Sequence, residues 1–135
     1  MHWLLIAAFA FDLAAVNSEP NLERRSERAL DNATVALMAA REAYVAGDQA
    51  KAQAGLDEVR DSVDLAYQSL KDSGKTPRNN KYYKRAELRT RDLARHLEGL
   101  RDTFSLLDRP LVDRVRDHVN EVHDMLLQGI LSRKR

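Results

Sequence analysis

The chain has 135 residues, and its 22 Lys and Arg against 21 Asp and Glu give a net charge of +1. This near balance excludes the overall basicity of a nucleic-acid-binding protein, so any electrostatic preference must be local and no specific nucleic acid is expected as a partner. The absence of cysteine excludes disulfides, thiolate metal ligands and cysteine nucleophiles. The length fits one domain, and only five Gly and three Pro favour long helices.

The N-terminal segment differs in composition from the rest of the chain. From Trp3 to Val16 it is apolar apart from Asp12, and the sequence after it is rich in charge. An apolar run of this length followed by small residues is typical of a secretory signal and is short for a membrane span. We therefore predict a signal peptide over 1–18, a helical-bundle domain over 19–135, and export to the periplasm or the extracellular space. The alternative is a segment retained as an uncleaved anchor or a core helix.

Four later segments carry apolar residues at alternating spacings of three and four, as in helices with one buried face. The first stripe is rich in alanine, which favours the close approach of a neighbouring helix. In chain order the stripes are Leu22, Ala29, Leu30, Ala33, Leu37, Ala40 and Tyr44; Ala52, Leu56, Val59, Val63, Ala66 and Leu70; Ala86, Thr90, Leu93, Leu97, Leu100, Phe104 and Leu107; and Val112, Val115, Val119, Val122, Leu126 and Ile130.

The breaks between these segments are also readable. Gly47 followed by Asp48 predicts the end of one helix and the N-cap of the next. A loop follows the second segment, with Thr76 or Asn80 capping the third helix. At Pro110 the apolar stripe shifts by one residue, which favours a turn and a new helix over a kink. The predicted fold is all-α, an antiparallel up-down-up-down four-helix bundle with long helices, preceded by a short apolar N-terminal segment.

No pattern of catalytic residues is found. The nucleophile-elbow, phosphate-loop and zinc-protease motifs are all missing from the sequence, so we predict no enzymatic activity, no cofactor and no metal site. Asp92 and His96 lie outside the apolar stripe and are interpreted as solvated. His118 and His123 flank the fourth stripe and are interpreted as half-exposed. The alternative function is a haem- or metal-binding four-helix electron carrier, with Met38 and His118 as ligands.

One local concentration of charge is predicted from the topology. In an up-down-up-down bundle, the start of the first helix, the loop after the second and the end of the fourth meet at one pole. A basic patch on a nearly neutral protein indicates an anionic partner, either a membrane surface or a polymer. The hypothesis is a small exported protein with a non-catalytic binding or structural role, and its oligomeric state is left open. The alternative interpretation of the basic cluster is a helix end whose cations are simply solvated. The candidate anion-binding residues are Arg78, Lys81, Lys84, Arg85, Arg133, Lys134 and Arg135, supported by Arg24, Arg25, Arg28 and Lys75.

Overall fold

The computed structural model describes residues 12–132, and within them the chain is all-helical, as predicted. A short helix comes first in the chain, and four long helices follow it. The helices are α1 (Leu13–Asn17), α2 (Leu22–Val45), α3 (Gln49–Asp72), α4 (Lys81–Thr103) and α5 (Arg109–Leu131).

The turn between α2 and α3 forms where the sequence predicts it. The Asn21 side chain caps α2 by accepting a hydrogen bond from the Arg24 backbone N–H. At the other end of this helix, Gly47 adopts a φ of +86°, a left-handed conformation that glycine reaches without steric cost. The carboxylate of Asp48 then accepts from the Lys51 N–H and begins α3. The predicted Gly-Asp boundary is confirmed.

The later turns settle the two alternatives that the sequence left open. Asn80, and not Thr76, caps α4, because its side-chain oxygen accepts from the N–H groups of Tyr82 and Tyr83. Between α4 and α5 the chain turns, and Pro110 lies in the first turn of the new helix, where its missing N–H costs no intrahelical hydrogen bond. The shift of the apolar stripe at Pro110 therefore marks a true helix boundary.

The long helices pack as two hairpins, α2 with α3 and α4 with α5. In addition α2 packs against α4 and α3 against α5, whereas α2 and α5 make no contact within residues 12–132. The first hairpin is especially close. A Cβ built at Gly55 would lie 2.9 Å from the Ala40 Cβ and 3.0 Å from the Ala36 carbonyl oxygen. The predicted close approach along the alanine-rich face of α2 is confirmed.

Nearly all of the predicted stripe residues are buried, and the central residues of each long helix meet in one core. Leu97, in the middle of α4, is 0% exposed. Leu22, Tyr44 and Ile130 are half-buried, and one stripe residue, Leu107, is 92% exposed. The prediction that the third stripe reaches Leu107 is wrong because α4 already ends at Thr103 and Leu107 lies in the turn before α5.

The short helix α1 lies within the segment interpreted as a signal peptide and packs on the α2 and α3 hairpin. The backbone N–H of Asp12 donates to the Asn32 side-chain oxygen at 2.8 Å, and the N–H of Leu13 donates to the Glu58 carboxylate at 3.2 Å. The Asn32 amide in turn donates to Glu58 and to the buried Ser62 hydroxyl, each at 2.9 Å. This polar cluster fixes the position of α1 beside α2.

Candidate anion-binding pole

The segments predicted to form a basic pole are brought together at one end of the bundle. Glu23, in the first turn of α2, accepts from the Lys75 ammonium at 3.5 Å and from the Asn80 amide at 3.2 Å. Near the end of α5, a Cβ added at Gly129 would lie 3.3 Å from the Pro77 ring. The start of α2, the loop 73–80 and the last turns of α5 therefore share one end.

Part of the predicted positive charge at this pole is neutralised by ion pairs. Lys75 pairs with Glu23, and Arg85 on α4 pairs with Glu27 on α2. The Arg28 guanidinium lies 3.1 Å from the Glu19 carboxylate. These pairs are partly exposed, so each contributes about 0–1 kcal/mol to stability and mainly reduces the local positive potential. Lys75 and Arg85 are therefore weaker anion-binding candidates than the sequence alone indicates.

Besides Arg24 at the start of α2, three cations around the loop before α4 retain an unbalanced charge. Arg78, Lys81 and Lys84 are all exposed, and none of them forms a salt bridge with another residue in 12–132. The Lys81 ammonium lies 5.3 Å from the centroid of the Tyr82 ring, within the range of a cation–π contact. Together they present a compact positive surface around the loop before α4 and its first turn. The three C-terminal candidates, Arg133, Lys134 and Arg135, lie outside the described residues.

A buried ionic cluster that the sequence analysis did not identify joins α4 to α5. Glu87 is only 6% exposed, and its carboxylate lies 2.7 Å from the His123 ring and 2.5 Å from the Arg91 guanidinium. Burial acts to raise the pKa of Glu87, but the hydrogen bonds from His123 and Arg91 outweigh it, so the pKa lies below its usual value. Thr90, one turn on, donates back to the Ala86 carbonyl, so the hydroxyl buried beside this cluster is satisfied. No local sequence pattern indicates this cluster, because His123 reaches Glu87 from another helix.

The predicted exposure of His96, His118 and His123 is confirmed. His118 and His123 are half-buried, and His118 lies 2.6 Å from Asp64 on α3. Asp92 and His96 are exposed, and the Asp92 carboxylate pairs with a neighbouring arginine on its own helix.

The ligand pair of the haem alternative is not brought together. Met38 is 57% exposed on α2, whereas His118 lies on α5, and these two helices do not touch within the described part of the chain. Across residues 12–132, no three His, Asp or Glu side chains are grouped so that they could hold a metal ion.

Over the same residues, none of the helices combines the length and the apolar character needed to cross a bilayer. Comparisons of the chain with protein-family models, with curated proteins and with solved structures find no match. The functional interpretation therefore rests on the geometry of the chain itself.

Proposed function

We propose that this chain is a small, exported, non-catalytic binding protein that contacts an anionic surface through its basic pole. The proposal rests on three exposed cations, Arg78, Lys81 and Lys84, none of which forms a salt bridge within residues 12–132. An anionic membrane surface contributes about 1 kcal/mol for each Lys or Arg held close to it. Three such residues would then supply about 3 kcal/mol, or roughly a hundredfold preference for an anionic over a neutral surface.

We also propose that the four long helices form an up-down-up-down bundle, with the two hairpins side by side. Residue pairs across the helices support this arrangement. The pairs Arg101 with Asp113 and Arg116 with Glu98 run in opposite directions along α4 and α5. Alternating helix directions bring two helix N-termini and two C-termini to each pole, so the helix dipoles largely cancel there. The positive potential of the pole then comes from its side chains.

Vesicle sedimentation tests the binding proposal. The full chain should sediment with phosphatidylglycerol vesicles at low salt, sediment less at physiological salt because screening increases, and stay in solution with phosphatidylcholine vesicles. Replacing Arg78, Lys81 and Lys84 together by Gln should abolish the preference for anionic lipid. A soluble polyanion, dextran sulfate, added as a competitor, distinguishes a polymer partner from a membrane surface.

A charge-matched control separates a local site from a general effect of net charge. Lys51, Arg60 and Arg114 are exposed cations elsewhere on the long helices, and changing all three to Gln lowers the net charge by the same amount. This control variant should bind like the unmodified chain. Equal loss of binding in both triple variants, or indifference of the unmodified chain to lipid charge, would leave only the solvated helix end.

A further inference from the structure

A groove of about 770 Å³ lies between α2 and α4, away from the basic pole. These two helices run parallel, because the pairs Arg85 with Glu27 and Arg89 with Asp31 have the same sequence offset of 58 residues. Beyond Arg89, no salt bridge joins α2 to α4 within residues 12–132. The groove opens from that point towards the other end of the bundle.

An aromatic contact lies near the far end of the groove, where α2 and α4 end. The Tyr44 ring stacks on the Phe104 ring with their centroids 3.7 Å apart. The Tyr44 hydroxyl also donates to the Asp108 carboxylate at 2.8 Å and accepts from the Ser105 N–H at 2.9 Å, which ties the end of α2 to the turn before α5. The α2 lining runs from Thr34 to Ala46, which corresponds to about 18 Å of helix. The groove therefore follows α2 for more than three helical turns.

The interior of the groove is apolar and open. Leu37, Leu93 and Leu100 form its floor and are nearly inaccessible, while Met38 stands at its edge. Gly99 keeps the groove free on the α4 side, since a Cβ built there meets no atom within 4 Å. A volume of this size lies within the range of about 300–1,000 Å³ that small-molecule sites occupy.

The rim carries charged side chains of both signs. Arg41 on α2 and Arg95 and His96 on α4 line it, with Glu42 as the acidic member of the lining. Arg41 is exposed and forms no salt bridge with any residue in 12–132, whereas Arg95 pairs only with Asp92 of its own helix. An apolar floor beside cations at the rim complements a molecule with an apolar tail and an anionic head.

We propose that this groove binds a free fatty acid, a single-chain amphiphile whose carboxylate one arginine can pair in a bidentate manner. The acyl chain lies along Leu37, Leu93 and Leu100 and crosses Gly99, and the headgroup lies against Arg41. This site is separate from the basic pole, and neither proposal depends on the other.

Calorimetric titration of the full chain tests the site, with every amphiphile kept below its critical micelle concentration. Dodecanoate should bind with a stoichiometry of one and more tightly than dodecanoyl-lysophosphatidylglycerol, and tighter binding of the lysophospholipid would overturn the assignment to a fatty acid. Dodecyltrimethylammonium, which has the same chain and a cationic head, should bind at least about fivefold more weakly.

Two variants locate the binding. Gly99→Leu fills the groove and should weaken binding by more than about tenfold, while the melting temperature stays the same or rises because leucine favours helix over glycine. Arg41→Gln should weaken binding of the anionic amphiphile by about two- to fivefold and should not weaken binding of the cationic one, which Arg41 repels. Arg114→Gln, at an exposed position on α5, is the matched control and should change nothing.

Three outcomes would overturn the proposal: anionic binding that survives Gly99→Leu, equal binding of the cationic amphiphile, or a dimer that dissociates in Gly99→Leu when no amphiphile binds. The last result would assign the groove to a second copy of this chain.

Discussion

Leu97 and Leu107 fall on the same apolar stripe in the sequence, but they have opposite surroundings in the fold. Leu97 is 0% exposed at the centre of α4, and Leu107 is 92% exposed in the turn that follows it. Replacing each by alanine removes the same atoms, so the difference in stability loss between the two variants reports burial directly.

The expected magnitude at Leu97 has two parts. Loss of three buried carbon groups costs about 2.4 kcal/mol of transfer free energy, and the residual cavity adds a further term. The total loss in the free energy of unfolding should fall at about 2–5 kcal/mol. With an unfolding entropy of about 2.1 cal/mol/K per residue, a chain of 135 residues loses roughly 3.5 °C in melting temperature for each kcal/mol. Leu97→Ala should therefore melt about 7–18 °C lower.

Urea unfolding followed by circular dichroism at the helical signal measures both variants against the unmodified chain. Leu107→Ala should change the free energy of unfolding by less than about 0.5 kcal/mol, as expected for an exposed site. A loss below about 0.5 kcal/mol at Leu97 would show that this stripe does not face a core. A loss above about 1 kcal/mol at Leu107 would show that the turn before α5 is packed, contrary to the structure.

Three further predictions address the hairpin, the buried carboxylate and the N-terminal segment. Gly55→Val should destabilise the chain by about 1–3 kcal/mol in urea unfolding, because the Ala40 methyl occupies the space that the new side chain needs; a neutral effect would contradict the close approach of α2 and α3. The pKa of Glu87 is lower in the folded chain than in the unfolded chain, so the stabilisation by its carboxylate is present above the unfolded pKa and is lost as the pH falls through the folded pKa. The loss of stability on acidification should therefore be smaller in Glu87→Gln than in the unmodified chain. Identical profiles of unfolding free energy against pH would refute the role of this cluster. Cleavage after residue 18 would remove Trp3, the only tryptophan, so protein from its native host should show tyrosine emission alone and the shorter mass; an intact chain in the cytoplasmic fraction would refute export.

Local chemistry made much of the fold predictable. The positive φ at Gly47, the Asp48 cap and the shifted stripe at Pro110 each depend on residues close in sequence. A heptad stripe does not show where a helix stops, however, when no glycine or proline marks the end. Leu107 was misplaced for this reason, because α4 ends at Thr103 with a proline only seven residues later.

The location of the candidate site could be predicted from the sequence, but which of its cations are neutralised by ion pairs could not. The loop and helix ends that meet at the pole follow from helix directions, which the short connections determine. The partners of Lys75 and Arg85 are carboxylates more than fifty residues away, and no local pattern indicates such ion pairs. The burial of Glu87 likewise depends on His123 from another helix. The cations of the pole that form no ion pair within residues 12–132 could be identified only after packing was known.

The orientation of the chain on a membrane tests the central claim most directly, and the lack of native cysteine permits a single label at a chosen position. Thr76→Cys places an environment-sensitive fluorophore on the exposed loop of the basic pole, and Asp102→Cys places it at the exposed end of α4 near the opposite pole. With phosphatidylglycerol vesicles that carry brominated acyl chains, we expect quenching and a blue shift at position 76 and no change at position 102. Quenching at position 102 alone, where the exposed Leu106 and Leu107 lie nearby in the chain, would show that the opposite end meets the membrane and would contradict the account.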